Sequence, residues 1–183
     1  DRSCGSSTEA AATWSRAAGA CGCSTRSSRR VSRVGPVAGS SHHSLFTRMP
    51  GVKVFSPMTP NEWQKAYVEF MAGDDVVYLS EHRGAWPNDQ ELLDYRPERP
   101  DVVLLPISIT RWAAAIASTE LFAEDGLRVA VHHVWQLKPF TTSPAVLTDL
   151  RDARCGVVLD DDYPGGAASD IALQLHAETG ARM

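Results

Sequence analysis

From Val52 onward the chain alternates short, continuous apolar runs with stretches whose apolar residues recur every three to four positions. Runs apolar at every position suit strands buried on both faces, and the intervening periodicity suits amphipathic helices. A chain written this way folds as an α/β protein, a three-layer sandwich with a mostly parallel sheet covered by helices on both sides.

The elements follow in order. Val52 to Phe55 reads as a strand stopped by Pro57 and Pro60. Thr59-Pro60-Asn61-Glu62 supplies an N-cap, a proline at the first helical position and a glutamate three after the cap, a capping box. Trp63, Ala66, Tyr67, Phe70 and Met71 then line one face, expected to pack on a sheet. Val76 to Leu79 is the next strand, expected to be buried. Trp86 to Pro100, with three prolines and little periodicity, reads as a linker. A second series follows: strand Val102 to Ile107, helix Arg111 to Glu124 closed by Gly126, strand Leu127 to Trp135, helix Ser143 to Arg151, strand Gly156 to Leu159, and helix Ala167 to Thr179 closed by Gly180. Ile171, Leu175, Ile116 and Val157 are expected to share one core.

The first 40 residues do not belong to this pattern. Ser, Ala, Arg and Gly make up 27 of them, and Val31, Val34 and Val37 are the sole branched aliphatics. Too little apolar area is available to offset ordering, so the arm is expected to be disordered. Residues 1–52 hold seven arginines against Asp1 and Glu9, while the whole chain has a net charge of −4, so the folding part is acidic and nucleic acid is not an expected partner. No apolar run approaches the roughly 18 residues of a membrane span. Cys4, Cys21, Cys23 and Cys155 form neither a disulfide framework nor a zinc motif, which suits a reducing cytoplasm.

In open parallel sheets ligands bind beyond the carboxyl ends of the strands. The loops so placed are Ser80-Glu81-His82-Arg83, the turn at Ile107-Ser108, Leu137-Lys138-Pro139, and Asp160-Asp161-Asp162-Tyr163-Pro164-Gly165-Gly166. The last offers three acids that suit Mg²⁺, but two glycines opening a helix equally suit a solvated capping loop, and no metal is expected there. His132 and His133 are neighbours on a strand, so they face opposite sides and at least one is expected to be a hydrogen-bonded structural histidine. His42 and His43 lie in a serine-rich loop and remain candidates for function.

Read as a string, Ser41-His42-His43-Ser44 followed by Pro50-Gly51-Val52-Lys53-Val54-Phe55-Ser56-Pro57 resembles the β subunit of the thiamine diphosphate-dependent 2-oxo acid dehydrogenases, a branch of the transketolase-like group. Val76-Val77-Tyr78-Leu79-Ser80-Glu81, Asp101-Val102-Val103-Leu104-Leu105, Leu137-Lys138-Pro139 and Gly165-Gly166-Ala167-Ala168-Ser169-Asp170-Ile171-Ala172 are similar to further blocks of that family, in its order. The resemblance implies the end of a pyrimidine-binding α/β domain at 41–86, a linker at 87–100, and a truncated transketolase C-terminal-like domain at 101–183. It implies thiamine diphosphate with Mg²⁺, shared with an α-type dehydrogenase subunit, and as further partners a second β-type chain and a lipoyl-bearing acyltransferase. The implied reaction is oxidative decarboxylation of a 2-oxo acid, with His42 and His43 as catalytic residues and Ser44 lining the substrate site. The family's cofactor-activating glutamate lies upstream of the His-Ser pair, where residues 1–40 offer no counterpart, so the isolated chain is expected to be inactive. Two rival readings are a transketolase or deoxyxylulose-phosphate synthase C-terminal half, and a noncatalytic subunit-interaction module.

Overall fold

The structure is a computed structural model and describes residues 41–183. The arm, with Cys4, Cys21 and Cys23, lies outside the described residues. The elements in chain order are α1 (His43–Thr47), β1 (Val52–Phe55), α2 (Pro60–Ala72), β2 (Val76–Leu79), a 3₁₀ turn (Arg83–Ala85), β3 (Val102–Pro106), α3 (Thr110–Asp125), β4 (Val129–Val131), β5 (Gln136–Lys138), α4 (Pro144–Ala153), β6 (Gly156–Leu159) and α5 (Ala167–Thr179).

Local chemistry sets the helix ends. Thr59 accepts from the Glu62 amide while the Glu62 carboxylate accepts from the N-cap backbone, so the expected capping box starts α2. Ser143 accepts from the Val146 amide at the start of α4. Gly126 and Gly180 close α3 and α5 in the left-handed conformation, at φ 68° and 70°, where a side chain would be strained.

The strands form two three-stranded sheets, ordered β2-β1-β5 and β4-β3-β6. The second is entirely parallel, with β3 at its centre. Alternation along β3 builds two layers. Val103, Leu105 and Ile107 join Val146 and Leu150 of α4 and Ile171 and Leu175 of α5 in the main core. Leu104, one residue out of phase, packs with Ala114 and Leu121 of α3 on the other side. This is the expected three-layer α/β arrangement. Ile171 and Leu175 occupy the core as expected, but Ile116 on α3 is half-buried and outside it, and Val157 is 40% exposed, with only Val158 beside it packing inward. Val157 points to the opposite face of the edge strand β6 from Val158 and stays open there, and Val76 on the edge strand β2, expected to be buried, is likewise 64% exposed.

Two expectations are corrected. The run Leu127 to Trp135 is not one strand: regular pairing ends at Val131, and the chain crosses to the first sheet as β5, antiparallel to β1. Pro106 contributes to this break. It accepts from the Val134 amide at 3.1 Å but has no N–H to return, so beyond Val131 the pairing thins to a single parallel bridge between Ile107 and Val134. Among the described residues the apolar face of α2 is also not covered. Ala66 is enclosed, but Tyr67, Phe70 and Met71 are 52%, 48% and 78% exposed, because the sheet beneath stops at β2.

The stretch 87–100 is pinned against the second sheet by Tyr95, which pairs with Val131, and by an Arg96–Asp149 ion pair at 2.7 Å. Beneath α2, Arg111 donates to both oxygens of Glu62 at 2.7 and 2.6 Å, tying α2 of the earlier segment to α3 of the later one. No helix among the described residues is long and apolar enough to cross a membrane.

Candidate functional site

The loop holding the candidate histidines and the Asp-rich loop after β6 stand more than a hundred residues apart in sequence, yet they meet face to face. Short α1 begins at His43, and its first turn lies against the N-terminus of α5. Ser44 Oγ accepts from the Ala167 amide at 2.9 Å, and the Ser44 amide donates to Asp162 Oδ2 at 2.7 Å. Gly166 is the residue that allows this approach. A Cβ there would lie 2.1 Å from Ser44 Oγ and 3.0 Å from the Tyr163 carbonyl oxygen, so any larger residue drives the two loops apart.

His43 is fully enclosed at the centre of this junction. Its Nδ1 lies 3.3 Å from Ser80 Oγ, and its Nε2 lies 2.8 Å from Asp160 Oδ2 and 3.4 Å from Asp162 Oδ2. His42 is half-buried at the rim, with Nδ1 at 2.7 Å from the Tyr163 hydroxyl. Ser41 donates to Asp161 Oδ1 at 2.7 Å, and His82 Nε2 lies 3.7 Å from the other oxygen of Asp161. Arg48 donates to the Gly165 carbonyl at 2.6 Å. Behind the histidines, Phe46 stacks on Tyr78 with ring centroids 3.6 Å apart. Burial, together with the charge of Asp162, pushes the Tyr78 hydroxyl above its ordinary pKa. Three loops flagged from the sequence, at Ser80, at His42–Ser44 and at Asp160–Gly166, thus converge. The ligand-type atoms of His43, Asp160 and Asp162 all lie within 4.8 Å of one another.

A second polar cluster borders a cavity of about 190 Å³ between β3, the β4–β5 crossing and α4. His132 is the structural histidine there. Its Nδ1 lies 3.1 Å from Asp94 Oδ2 and its Nε2 lies 2.7 Å from Asp149 Oδ2. His133, whose amide donates to Asp94 at 2.9 Å, is pushed down to about 3 chiefly by burial and next by the Arg111 charge. It is therefore neutral near pH 7. Asp94 and Asp149 carry a pH dependence. Burial alone would push both carboxyls up, but hydrogen bonds outweigh it, from Arg96 and His132 to Asp149 and from His132 and the His133 amide to Asp94. Both therefore lie below the ordinary value of 3.8. A depressed carboxyl stabilises the fold above its unfolded pKa and loses that contribution as pH falls through its folded one. Melting temperature is expected to fall steeply below about pH 4, the ordinary carboxylate range, and less steeply in Asp149→Asn, as scanning calorimetry across pH 2 to 6 would register. Parallel curves for the two proteins would exclude Asp149 from the acid response.

Measured against thiamine diphosphate, the described residues do not by themselves make a complete site. Glu62 is chelated by Arg111, Asp160 is held by His43, Glu81 stands exposed on the surface, and His43 has no accessible surface to offer a cofactor. No catalytic step through the cofactor is assigned to these residues.

No family model matches the chain, and no curated protein matches it. A solved structure described as a split-gene transketolase, inactive β4 tetramer, is similar at a TM-score of 0.58 and 20% identity, over 74% of this chain and 47% of that one. The chain thus spans about half the length of the structure it matches. At that identity the likeness speaks for architecture alone, and the architecture is a transketolase-like C-terminal α/β fold.

Proposed function

We propose that the chain is a β-type segment of a thiamine diphosphate-dependent 2-oxo acid dehydrogenase, working in a reducing cytoplasm and only as part of an assembly. The observation that carries this reading is the spatial meeting of the sequence blocks on which the resemblance rests. Ser44 of the His-Ser block caps the helix opened by the Gly-Gly block, and the strand Val52–Phe55 pairs with Gln136–Lys138 of the Leu-Lys-Pro block. Blocks that match a family in order and also touch are harder to obtain by chance than matches in order alone.

Within this reading residues 41–86 are the end of the pyrimidine-binding domain, 87–100 the connection, and 101–183 the C-terminal domain. His42, at the rim, is the residue that reaches the 2-oxo acid, and Ser44 lines the site. His43, enclosed by Asp160 and Asp162, fixes the loop that carries both. The cofactor, with the carboxylate and cation it needs, is completed by an α-type subunit, and the acyl group passes to a lipoyl-bearing carrier.

The uncovered face supports action in an assembly. Val68 and Met71 on α2 and Val76 on the edge strand β2 are each more than 60% exposed, and beside them, among the described residues, the strand edge has no partner. The same face favours a second reading, a noncatalytic interaction module. Fold likeness alone serves the third, a transketolase or deoxyxylulose-phosphate synthase half.

Coexpression decides among them. The purified chain alone is expected to show no decarboxylation of pyruvate or branched-chain 2-oxo acids and no saturable calorimetric signal with thiamine diphosphate and Mg²⁺. Coexpressed with an α-type dehydrogenase subunit, it is expected to copurify and restore turnover. A stable homomer that ignores every α-type subunit favours the interaction module, and turnover by the chain alone would overturn its dependence on a partner.

A further inference from the structure

We propose that His43, Asp160 and Asp162 form a binding site for one first-row divalent cation of the Mn²⁺ or Zn²⁺ kind, closing the junction between the His42–Ser44 loop and the Asp160–Gly166 loop. This ion is distinct from the Mg²⁺ that accompanies a diphosphate, and the inference does not depend on the dehydrogenase reading.

The first argument is geometric. Two donors bound at 2.0–2.2 Å to one ion, at tetrahedral or octahedral angles, lie roughly 2.8–3.6 Å apart. His43 Nε2 stands 2.8 Å from Asp160 Oδ2 and 3.4 Å from Asp162 Oδ2. A single ring nitrogen therefore faces two carboxylate oxygens. A proton on that nitrogen points along one direction and serves one of them, leaving Asp162 Oδ2 with the neutral Ser44 amide at 2.7 Å, whereas a cation in place of the proton draws both carboxylates to one charge.

The second argument concerns charge. The side chains of His43, Asp160 and Asp162 are 0%, 7% and 0% exposed. Among the described residues no lysine or arginine pairs with Asp160 or Asp162. Two enclosed carboxylates without a fixed cation are costly, and a buried charge is ordinarily paired or bound to metal.

The third argument is orientation. Metal ligands are held by a further layer of hydrogen bonds that aim their donor atoms. Here each first-layer group is so held. The Asp161 amide donates to Asp160 Oδ1 at 2.9 Å, and the Tyr163 amide donates to Asp162 Oδ1 at 2.8 Å, which turns both Oδ2 atoms toward the imidazole. Ser80 Oγ engages Nδ1 and sets the ring plane. Mixed imidazole and carboxylate donors suit Mn²⁺, Fe²⁺ and Zn²⁺, and three protein ligands leave positions for water.

The test is titration of the full chain with Mn²⁺ alone, followed by electron paramagnetic resonance. Mn²⁺ is chosen because the thiols of Cys4, Cys21, Cys23 and Cys155 prefer softer ions. About one bound Mn²⁺ per chain is expected, showing nitrogen coupling from one imidazole in the pulsed spectrum and raising the melting temperature. Affinity is expected to fall at least about tenfold in Asp162→Asn and in His43→Gln, while Asp149→Asn, outside the junction, binds as the natural chain does. The nitrogen coupling is read on the natural chain, so the result stands even where a junction variant fails to fold. Absence of saturable binding, bound Mn²⁺ without nitrogen coupling, or undiminished binding in folded Asp162→Asn would each overturn the proposal.

Discussion

Replacing Arg111 with methionine is expected to lower stability by about 3–5 kcal/mol, the range for removing one partner of a buried ion pair. Arg111 is fully enclosed, and its guanidinium meets Glu62 through two bonds of 2.7 and 2.6 Å. Methionine fills much of the same volume, so little of the cost comes from a cavity. Most of it comes from Glu62, which is left ionised and enclosed without its cation. A compensating change separates the two contributions. Glu62→Gln keeps an acceptor for the Met58 and Thr59 amides, which the carboxylate now receives at 2.9 and 3.3 Å, but removes the charge. The double variant is therefore expected to recover most of the loss in urea unfolding. A second readout is independent of stability. Arg111 is the second cause, after burial, of the low His133 value of about 3, so Arg111→Met is expected to move the His133 titration upward by nuclear magnetic resonance. A single variant within 1 kcal/mol of the natural chain, roughly the worth of an exposed pair, would mean that Arg111 and Glu62 are solvated.

Local signals explain what was legible. Thr59 and Glu62 are three residues apart and act within one turn, so the capping box could be read directly, as could Gly126 and Gly180 after their helices. Strands β1, β2 and β6 occupy the spans that their apolar runs mark. What failed depended on partners remote in sequence. Periodicity marks α2 as having an apolar face but cannot say whether a sheet extends beneath it, and β2 ends that sheet too early. Val157 and Val158 read alike in an apolar run, and only the position of β6 at the sheet edge separates the exposed one from the packed one.

The site shows the same division. His42, His43 and Ser44 could be singled out by their serine-rich loop, and separately Asp160 to Gly166 by its acids and its place after a strand. That Asp160 and Asp162 would converge on one nitrogen of His43 is a property of the crossover connections, which bring residues 117 apart into contact. The signal that might have joined them is Gly166. A second glycine at a helix start, beyond what the turn at Gly165 with φ 74° requires, marks a place where another backbone or side chain comes close, here Ser44.

The helix that carries this junction is also where a single charge is expected to do much damage. Ile171 is 3% exposed and shares one core with Val103 and Leu105 of β3, with Ile107 just after it, and with Leu150 of α4. Ile171→Asp puts a carboxylate into that layer without a partner, and the group must either be protonated or draw water into the core. The expected cost is on the order of 3 kcal/mol or more. Leu173, two positions along the same helix, is 69% exposed. Leu173→Asp makes the same chemical change at nearly the same distance from the helix ends, so helix propensity and macrodipole terms are closely matched between the variants. Its cost is expected to stay near 0.5 kcal/mol, about that of an ordinary surface substitution. The difference between the two variants in urea unfolding therefore isolates burial against the sheet. It also reports on the junction, because α5 presents the Ala167 amide to Ser44, and a helix shifted off β3 withdraws that donor. Equal losses in the two variants would mean that α5 does not pack on the sheet through Ile171, and the three-layer arrangement would fall with it.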